Sequence, residues 1–361
     1  MDFAQLEKKY GGFYAPAFEI RVDGKELRGL GLEIAGVTVD QALRAADHFS
    51  FTVNNLYGES GDNGNGFDLF LPAGKKVEIR LGYAGTLEPV LTGVVASIAT
   101  GFDGTGSPRC TVSGYDLSYP MMRGMKPRSW DNARHSDIAA IVAAEYGLRC
   151  QFDPTDVVYP KVMKAAGKSD FHFLQQLADE NYYECFVSGD TLYFRKPPRD
   201  GEPLFALEWR KQLLSFQPEV NFAEQVTEVE VRGWNPKTKK EIVGVARTGD
   251  EAGQRPGPGR KTGGELVREL LREPVKLNVR HPVFSQQEAE QLARSILNKH
   301  AEGLVRGGGE TIGLPDIRPG RTIRLEGLGA RFSKPYYVEK SVHAVSASGY
   351  HTTFHVKESM I

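Results

Sequence analysis

Apolar and polar residues take turns along most of the opening third of the chain. Phe18, Ile20 and Val22 alternate with Glu19, Arg21 and Asp23 and run into Asp23-Gly24, a pair suited to a tight hairpin turn. The period of two returns at Leu32, Ile34 and Val37 to Val39, at Phe49, Phe51 and Val53, and at Val77, Ile79 and Leu81. It returns again from Val90 to Ile98, with Gly93 inside, and in Cys110-Thr111-Val112-Ser113-Gly114-Tyr115. Strands of this kind hide one face only, so a set of them needs a second layer or closure on itself. Residues 1–118 are therefore predicted to form a small Greek-key-like β-barrel.

The period then changes. Ser136 to Gly147 carries apolar residues at helical spacing, with Ser136 as the expected N-cap and Gly147 as the left-handed stop. Ser169 to Glu180 repeats the pattern, with Phe173, Leu174 and Leu177 on one stripe. Glu184 to Val187 and Thr191 to Arg195 read as a hairpin through Ser188-Gly189-Asp190. Basic residues Arg123, Lys126, Arg128 and Arg134 lie around Trp130 in the connection that leads in. Residues 119–200 are predicted to be a compact α/β insert.

Alternation resumes in the last part. Val226 to Trp234 and Glu241 to Ala246 pair in expectation through a turn at Asn235-Pro236-Lys237-Thr238. Residues 248–264 collapse into glycine, proline and charge, which marks a linker or long loop. After a strand at Val275 to Val279, Ser285 is placed to cap a helix over 286–302, with Ala289, Leu292, Ala293, Ile296 and Leu297 on one face. Gly307 to Val356 then reads as a series of short antiparallel strands. In them Ile323 and Leu325 share a face, as do Tyr350, Thr352, Phe354 and Val356. Residues 201–361 are predicted to form a second β-barrel, interrupted by the loop and the helix. The fold class is mainly β: two β-barrel domains plus a small α+β domain.

Forty glycines and twenty prolines support that class, because both break helix interiors and suit turns between short strands. Charge balances almost completely, with 45 Lys plus Arg against 46 Asp plus Glu, so no overall field draws in nucleic acid or anionic lipid. Neither nucleic-acid sequence recognition nor stable membrane insertion is expected. Cys110, Cys150 and Cys185 are odd in number, far apart and without metal-ligand spacing, and read as free thiols in a reducing compartment. The N-terminus has no basic start followed by an apolar core, so the expectation is synthesis in the cytoplasm without a signal peptide.

Motifs that imitate chemistry fail on inspection. Gly58 to Gly66 has Asp and Asn residues but lacks the closing Glu and following helix of a calcium loop. Gly257-Pro258-Gly259-Arg260-Lys261-Thr262 resembles a phosphate loop, yet no glycine precedes Lys261, and Pro256 and Pro258 remove backbone donors. Gly101 to Gly106 lies between β segments with no helix to supply a dipole. Gly58-Glu59-Ser60-Gly61-Asp62 lacks the last glycine of a nucleophile elbow. His343 and His355 sit inside alternating strands and read as packed or hydrogen-bonded residues. No catalytic, cofactor-binding or metal-binding residue is assigned, and no enzyme activity is expected.

Two stretches carry a family resemblance. Pro319-Gly320 before a strand, Tyr336-Tyr337-Val338, His343 and Tyr350-His351-Thr352-Thr353-Phe354 are similar to the final barrel of the phage late control D family. That family comprises contractile tail baseplate hub proteins and their VgrG-like relatives in injection systems. Asp170, Phe173, Leu174, Leu177, Ala178, Tyr182 and Asp190-Thr191-Leu192 resemble the same family, in the same order. The resemblance implies two barrels of the tail-tube fold per chain, and a homotrimer whose six barrels adapt a threefold spike to a sixfold tail tube. The implied partners are a spike protein, the tail tube protein and other baseplate subunits, within a phage tail or contractile injection particle. The chain shows no trailing spike repeat, so the spike is expected to be a separate protein. A competing expectation comes from the helix Ile138 to Tyr146, which resembles the first helix of LysM repeats and implies a peptidoglycan-binding or cell-wall-degrading protein.

Overall fold

The computed structural model describes residues 3–56, 69–102, 108–199, 201–235, 239–252 and 259–361. After helix α1 (Phe3–Lys9), the first β unit consists of β1 (Pro16–Val22), β2 (Lys25–Glu26), β3 (Ile34–Ala42), β4 (His48–Val53), β5 (Lys76–Tyr83), β6 (Thr86–Gly101) and β7 (Arg109–Asp116). The alternation seen in the sequence is the alternation of burial: Phe49, Phe51 and Val53 point inward with Val77, Ile79, Leu81 and Val112. Each such side chain withdrawn from water contributes about 1.5–3 kcal/mol to folding.

A short helix α2 (Tyr119–Arg123) leads into the insert. Its strands are β8 (Arg128–Ala133), β9 (Arg149–Phe152), β10 (Tyr159–Lys164), β11 (Glu184–Ser188) and β12 (Thr191–Arg195). They form one sheet of β10 with β8 and another in the order β11-β12-β9, the last pair parallel. Helices α3 (His135–Glu145) and α4 (Asp170–Asn181) cover them, and Ile138, Val142, Leu174, Leu177, Leu192 and Phe194 make a separate core. Ser169 caps α4 by accepting the His172 N–H at 3.2 Å. The expected cap of α3 is corrected: Arg134 stands at the cap, two residues earlier, and Ser136 is buried within the helix, where its Oγ accepts the Thr155 N–H at 3.2 Å. Tertiary contact took that hydroxyl from the capping role.

The last part contains β13 (Ala206–Glu208), β14 (Leu213–Val220), β15 (Glu228–Asn235), β16 (Lys240–Arg247), α5 (Gly263–Leu271), β17 (Lys276–Arg280), α6 (Gln286–Ala301), β18 (Val305–Ile312), β19 (Thr322–Glu326), α7 (Gly329–Phe332), β20 (Pro335–Ser346) and β21 (Gly349–Glu358). Here the structure corrects the sequence reading. The strands expected around Val226 to Ala246 and Val275 to Val279 do not enter a barrel; they form their own sheet, β16-β15-β17, with α6 against it and a separate core of Val229, Val231, Ala246, Ala293 and Leu297. Gly244 permits that docking, since a Cβ there would stand 2.2 Å from the Ala289 backbone. A second correction concerns 248–264. Its end is ordered as the cap and first turn of α5, where Thr262 and Glu265 satisfy each other's backbone N–H groups at 3.2 and 2.7 Å.

The remaining strands of both β units belong to one 13-stranded sheet with the path β14-β18-β21-β20-β3-β4-β7-β6-β5-β1-β2, while β13 joins through β19, which pairs with β20. A bridge between Trp209 and Leu213 brings the β13 and β14 ends of the second unit together. Among the described residues, no helix is long and apolar enough to cross a membrane.

Candidate functional site

The two β units repeat one plan. The first has the order β5-β6-β7-β4-β3, and the second has β19-β20-β21-β18-β14, with every neighbouring pair antiparallel. Irregularities coincide as well. The ladder of β3 slips past Ala35 and that of β14 past Leu214, while β6 slips past Ala96 against β7 and β20 past Glu339 against β21. Even the strand entry is copied. Val95 N–H donates to Lys75 O at 3.0 Å and Gly74 N–H to Val95 O at 2.9 Å; Val338 N–H donates to Arg321 O at 2.8 Å and Gly320 N–H to Val338 O at 2.9 Å. Bulges are local and costly to place, so their agreement at corresponding positions marks a duplicated backbone.

The repeats meet along β20. Its first residues pair with β19, and after the Glu339 bulge the same edge pairs with β3, from Lys340 opposite Ala42 to Val345 opposite Val37. Glu339 O accepts the Leu43 N–H at 3.2 Å, and Lys340 Nζ lies 2.8 Å from Asp40 Oδ2. Beneath this seam His343 is fully enclosed. One ring nitrogen meets Thr352 Oγ1 at 3.1 Å and Tyr350 Oη at 3.0 Å, and the other meets Ile317 O at 3.0 Å. Burial and the Arg318 guanidinium push its pKa down to about 3, so it is neutral and structural. Tyr83 adds a bond between units by donating to Gly313 O at 2.9 Å.

The insert is tied in by a buried ionic node. Burial alone would raise the pKa of Glu302, but Arg199, and Lys357 with its Nζ at 2.6 Å, outweigh it and hold the group at about 2. Tyr182 Oη, at the end of α4, donates to the same carboxylate. Nearby a cleft of about 450 Å³ is lined by Tyr182, Tyr183, Gln291, Arg294 and Asn298, where the insert faces α6.

Residues singled out for chemistry scatter. Lys261 exchanges backbone bonds with Ile361 at 2.9 and 3.0 Å and turns its ammonium to Glu269, so it faces no phosphate cradle. His355, expected to be packed or bonded, is instead exposed on β21 beside Gly308, because it falls on the outer phase of the strand. Cys110 and Cys185 are buried and Cys150 half-buried, all as free thiols. The loops at 58–66 and 103–106, and the start of the Gly257 motif, lie outside the described residues. Among the described residues, no group of three or more His, Cys, Asp or Glu is placed to hold a metal ion. Sequence reasoning missed the repeated Gly74-Lys75-Lys76-Val77-Glu78-Ile79 and Gly320-Arg321-Thr322-Ile323-Arg324-Leu325, which open equivalent strands.

A duplicated β scaffold with an interposed α/β insert is the fold of tail-protein structures. The tail protein from Neisseria meningitidis MC58 is 15% identical and superposes with a TM-score of 0.70, over 96% of this chain and 97% of that one. The 43 kDa tail protein of prophage MuSo2 from Shewanella oneidensis is 12% identical with a TM-score of 0.68, over 95% and 98%. The Escherichia coli c3393 protein, described as a type VI secretion component with structural similarity to the T4 tail proteins gp27 and gp5, gives 12% identity and a TM-score of 0.60, over 93% of this chain and 76% of that one. No curated protein matches the sequence significantly. The chain belongs to the family described as the Alg8 N-terminal domain, whose model matches residues 15–347.

Proposed function

We propose that the chain is a structural baseplate hub of a contractile tail or related injection system, acting as a homotrimer between a threefold spike and a sixfold tube. The observation that carries this reading is the repeat: two β units of one strand order, with coincident bulges, in a single polypeptide. A threefold ring and a sixfold ring cannot share equivalent contacts unless each of the three chains presents two similar units. Similarity to tail and type VI structures supports a tail-associated role, and the late control D resemblance supports the hub. The partners would be a spike protein, the tube protein and neighbouring baseplate subunits. The work of such a part is binding, not turnover.

The test is the mass of the full chain in solution, with electron microscopy of the particles. A ring of three protomers with six similar lobes is expected. A chain that stays monomeric at all concentrations and is retained on peptidoglycan would overturn the proposal in favour of a wall-binding protein.

A further inference from the structure

We infer that the ring closes by a second copy of the seam already present within the chain: β14 of one protomer pairs antiparallel with the far half of β6 of its neighbour. This rests on the trimer proposed above and specifies its interface. Within the chain, β3 of the first unit pairs with β20 of the second. The repeat makes β14 the counterpart of β3, and β6 the counterpart of β20. Among the described residues, neither counterpart has its partner. Among the described residues, β14 is laddered only to β18, and the pairing of β6 with β5 ends at Val94, leaving the strand beyond Ala96 without a neighbour on that side.

Transferring the observed register fixes the contacts. Ser341 faces Gln41 and His343 faces Val39 within the chain, so Ile98 would face the partner's Val220 and Thr100 the partner's Pro218. Asn221 N–H is turned to the β18 side, on Leu304 O at 2.8 Å, which directs the alternate N–H groups of Val220 and Phe222 to the open edge. Pro218 offers no N–H there, so the ladder lacks one bond; its carbonyl still accepts from Thr100. A proline on an exposed edge also discourages pairing with unrelated strands.

Side chains agree with the transfer. Leu43, which donates to the Glu339 bulge, is 4% exposed, and its Cδ2 would lie 3.4 Å from a Cβ on Gly320. Its counterpart Phe222 is 46% exposed, and Gly74, the counterpart of Gly320, faces open space. The partner's Phe222 is the ring that fills the place over Gly74, with its N–H on the Ala96 carbonyl. The occupant is a second copy of this chain, because the complementary edge lies on the same molecule and one threefold operation satisfies both.

The experiment pairs Ala99→Cys with Glu219→Cys in the full chain; the transferred register sets these two opposite, as Val342 stands opposite Asp40. Mild oxidation should give covalent dimers and trimers that neither single variant gives. A shifted pair, Gly101→Cys with Glu219→Cys, should not cross-link. Phe222→Asp, on an exposed ring, should leave the protomer folded and weaken trimer formation by at least ~10-fold. Native trimers whose in-register pair fails to cross-link, or whose assembly ignores Phe222→Asp, would overturn this interface and leave the hub reading standing. A wild-type chain that never trimerises would overturn both.

Discussion

Gly309 on β18 stands in register with Phe354 on β21, and a Cβ on Gly309 would come within 2.5 Å of that ring. The first unit solves the same position in reverse: Phe51 on β4 faces Val112 on β7, and next to them Phe49 faces Gly114, where a Cβ would come within 2.8 Å of the Phe49 ring. The backbone is repeated while large and small residues change strands. Interiors hold their volume closely, so each unit is committed to its own arrangement.

Gly309→Ala is therefore expected to cost about 1–3 kcal/mol through overpacking. Gly308→Ala on the same strand is the control, since its Cβ would meet only the exposed His355 ring, at 3.5 Å. Urea midpoints should separate the two variants. Phe354→Leu should recover part of the loss in the Gly309→Ala background, because neighbours in contact are coupled.

Acid should loosen the protein in two windows. His343 is held neutral with its pKa at about 3, by burial and Arg318, and His135 with its pKa at about 4, by burial. Both titrate near the ordinary histidine value of 6.5 once unfolded. The unfolded chain then binds more protons below about 6.5, so the stability from these groups is complete above that pH and falls as pH drops toward 4 and 3. Glu302, depressed to about 2 from 4.5, adds a loss confined to that lower interval. Melting temperatures from pH 7.5 down to 5 should decline, and His343→Gln should flatten the slope. Parallel curves for the two proteins would remove His343 as the source.

Much of the architecture was legible because burial follows the two-residue period: Ile20, Val39, Phe51, Ile79 and Phe354 all point inward where alternation puts them. The turn residues of the β11–β12 hairpin were legible too, with Gly189 in the left-handed region at φ 61°. Partnership was not. Val229 and Val231 alternate like barrel strands, and only the close approach of α6 over Gly244 assigns them to another sheet. Likewise nothing local in Lys340 to Val345 announces a change of neighbour from β19 to β3; it depends on the Glu339 bulge, a property of the pairing. The repeat was hidden for a related reason, since the exchange of Phe49 and Gly114 for Gly307 and Val356 erases sequence similarity while keeping the ladder.

The ion pair at the seam should matter little. Lys340 and Asp40 are both partly exposed, so a double-mutant cycle with alanine at each is expected to return about 0–1 kcal/mol, less at high salt. A coupling of several kcal/mol in chemical denaturation would show that charge, not the backbone ladder, holds the units together.

The insert presents the opposite case. Lys164 has no exposed side-chain surface, and its ammonium donates to Asp170 Oδ1 at 2.5 Å and to Gly124 O at 2.7 Å. Asp170 also accepts from Tyr146 Oη at 2.6 Å, so the carboxylate joins β10, α3 and the start of α4. Removing one partner leaves a desolvated charge behind, which costs about 3–5 kcal/mol, far more than the pair is worth against an apolar replacement. Lys164→Met should therefore destabilise the insert strongly, whereas Lys164→Met combined with Asp170→Leu should recover most of the loss, short of what Tyr146 gives up. Hydrogen exchange should show α4 opening in the single variant while β18 and β21 stay protected, because the insert has its own core. Uniform loss of protection across both regions would mean instead that the insert and the β scaffold unfold as one unit.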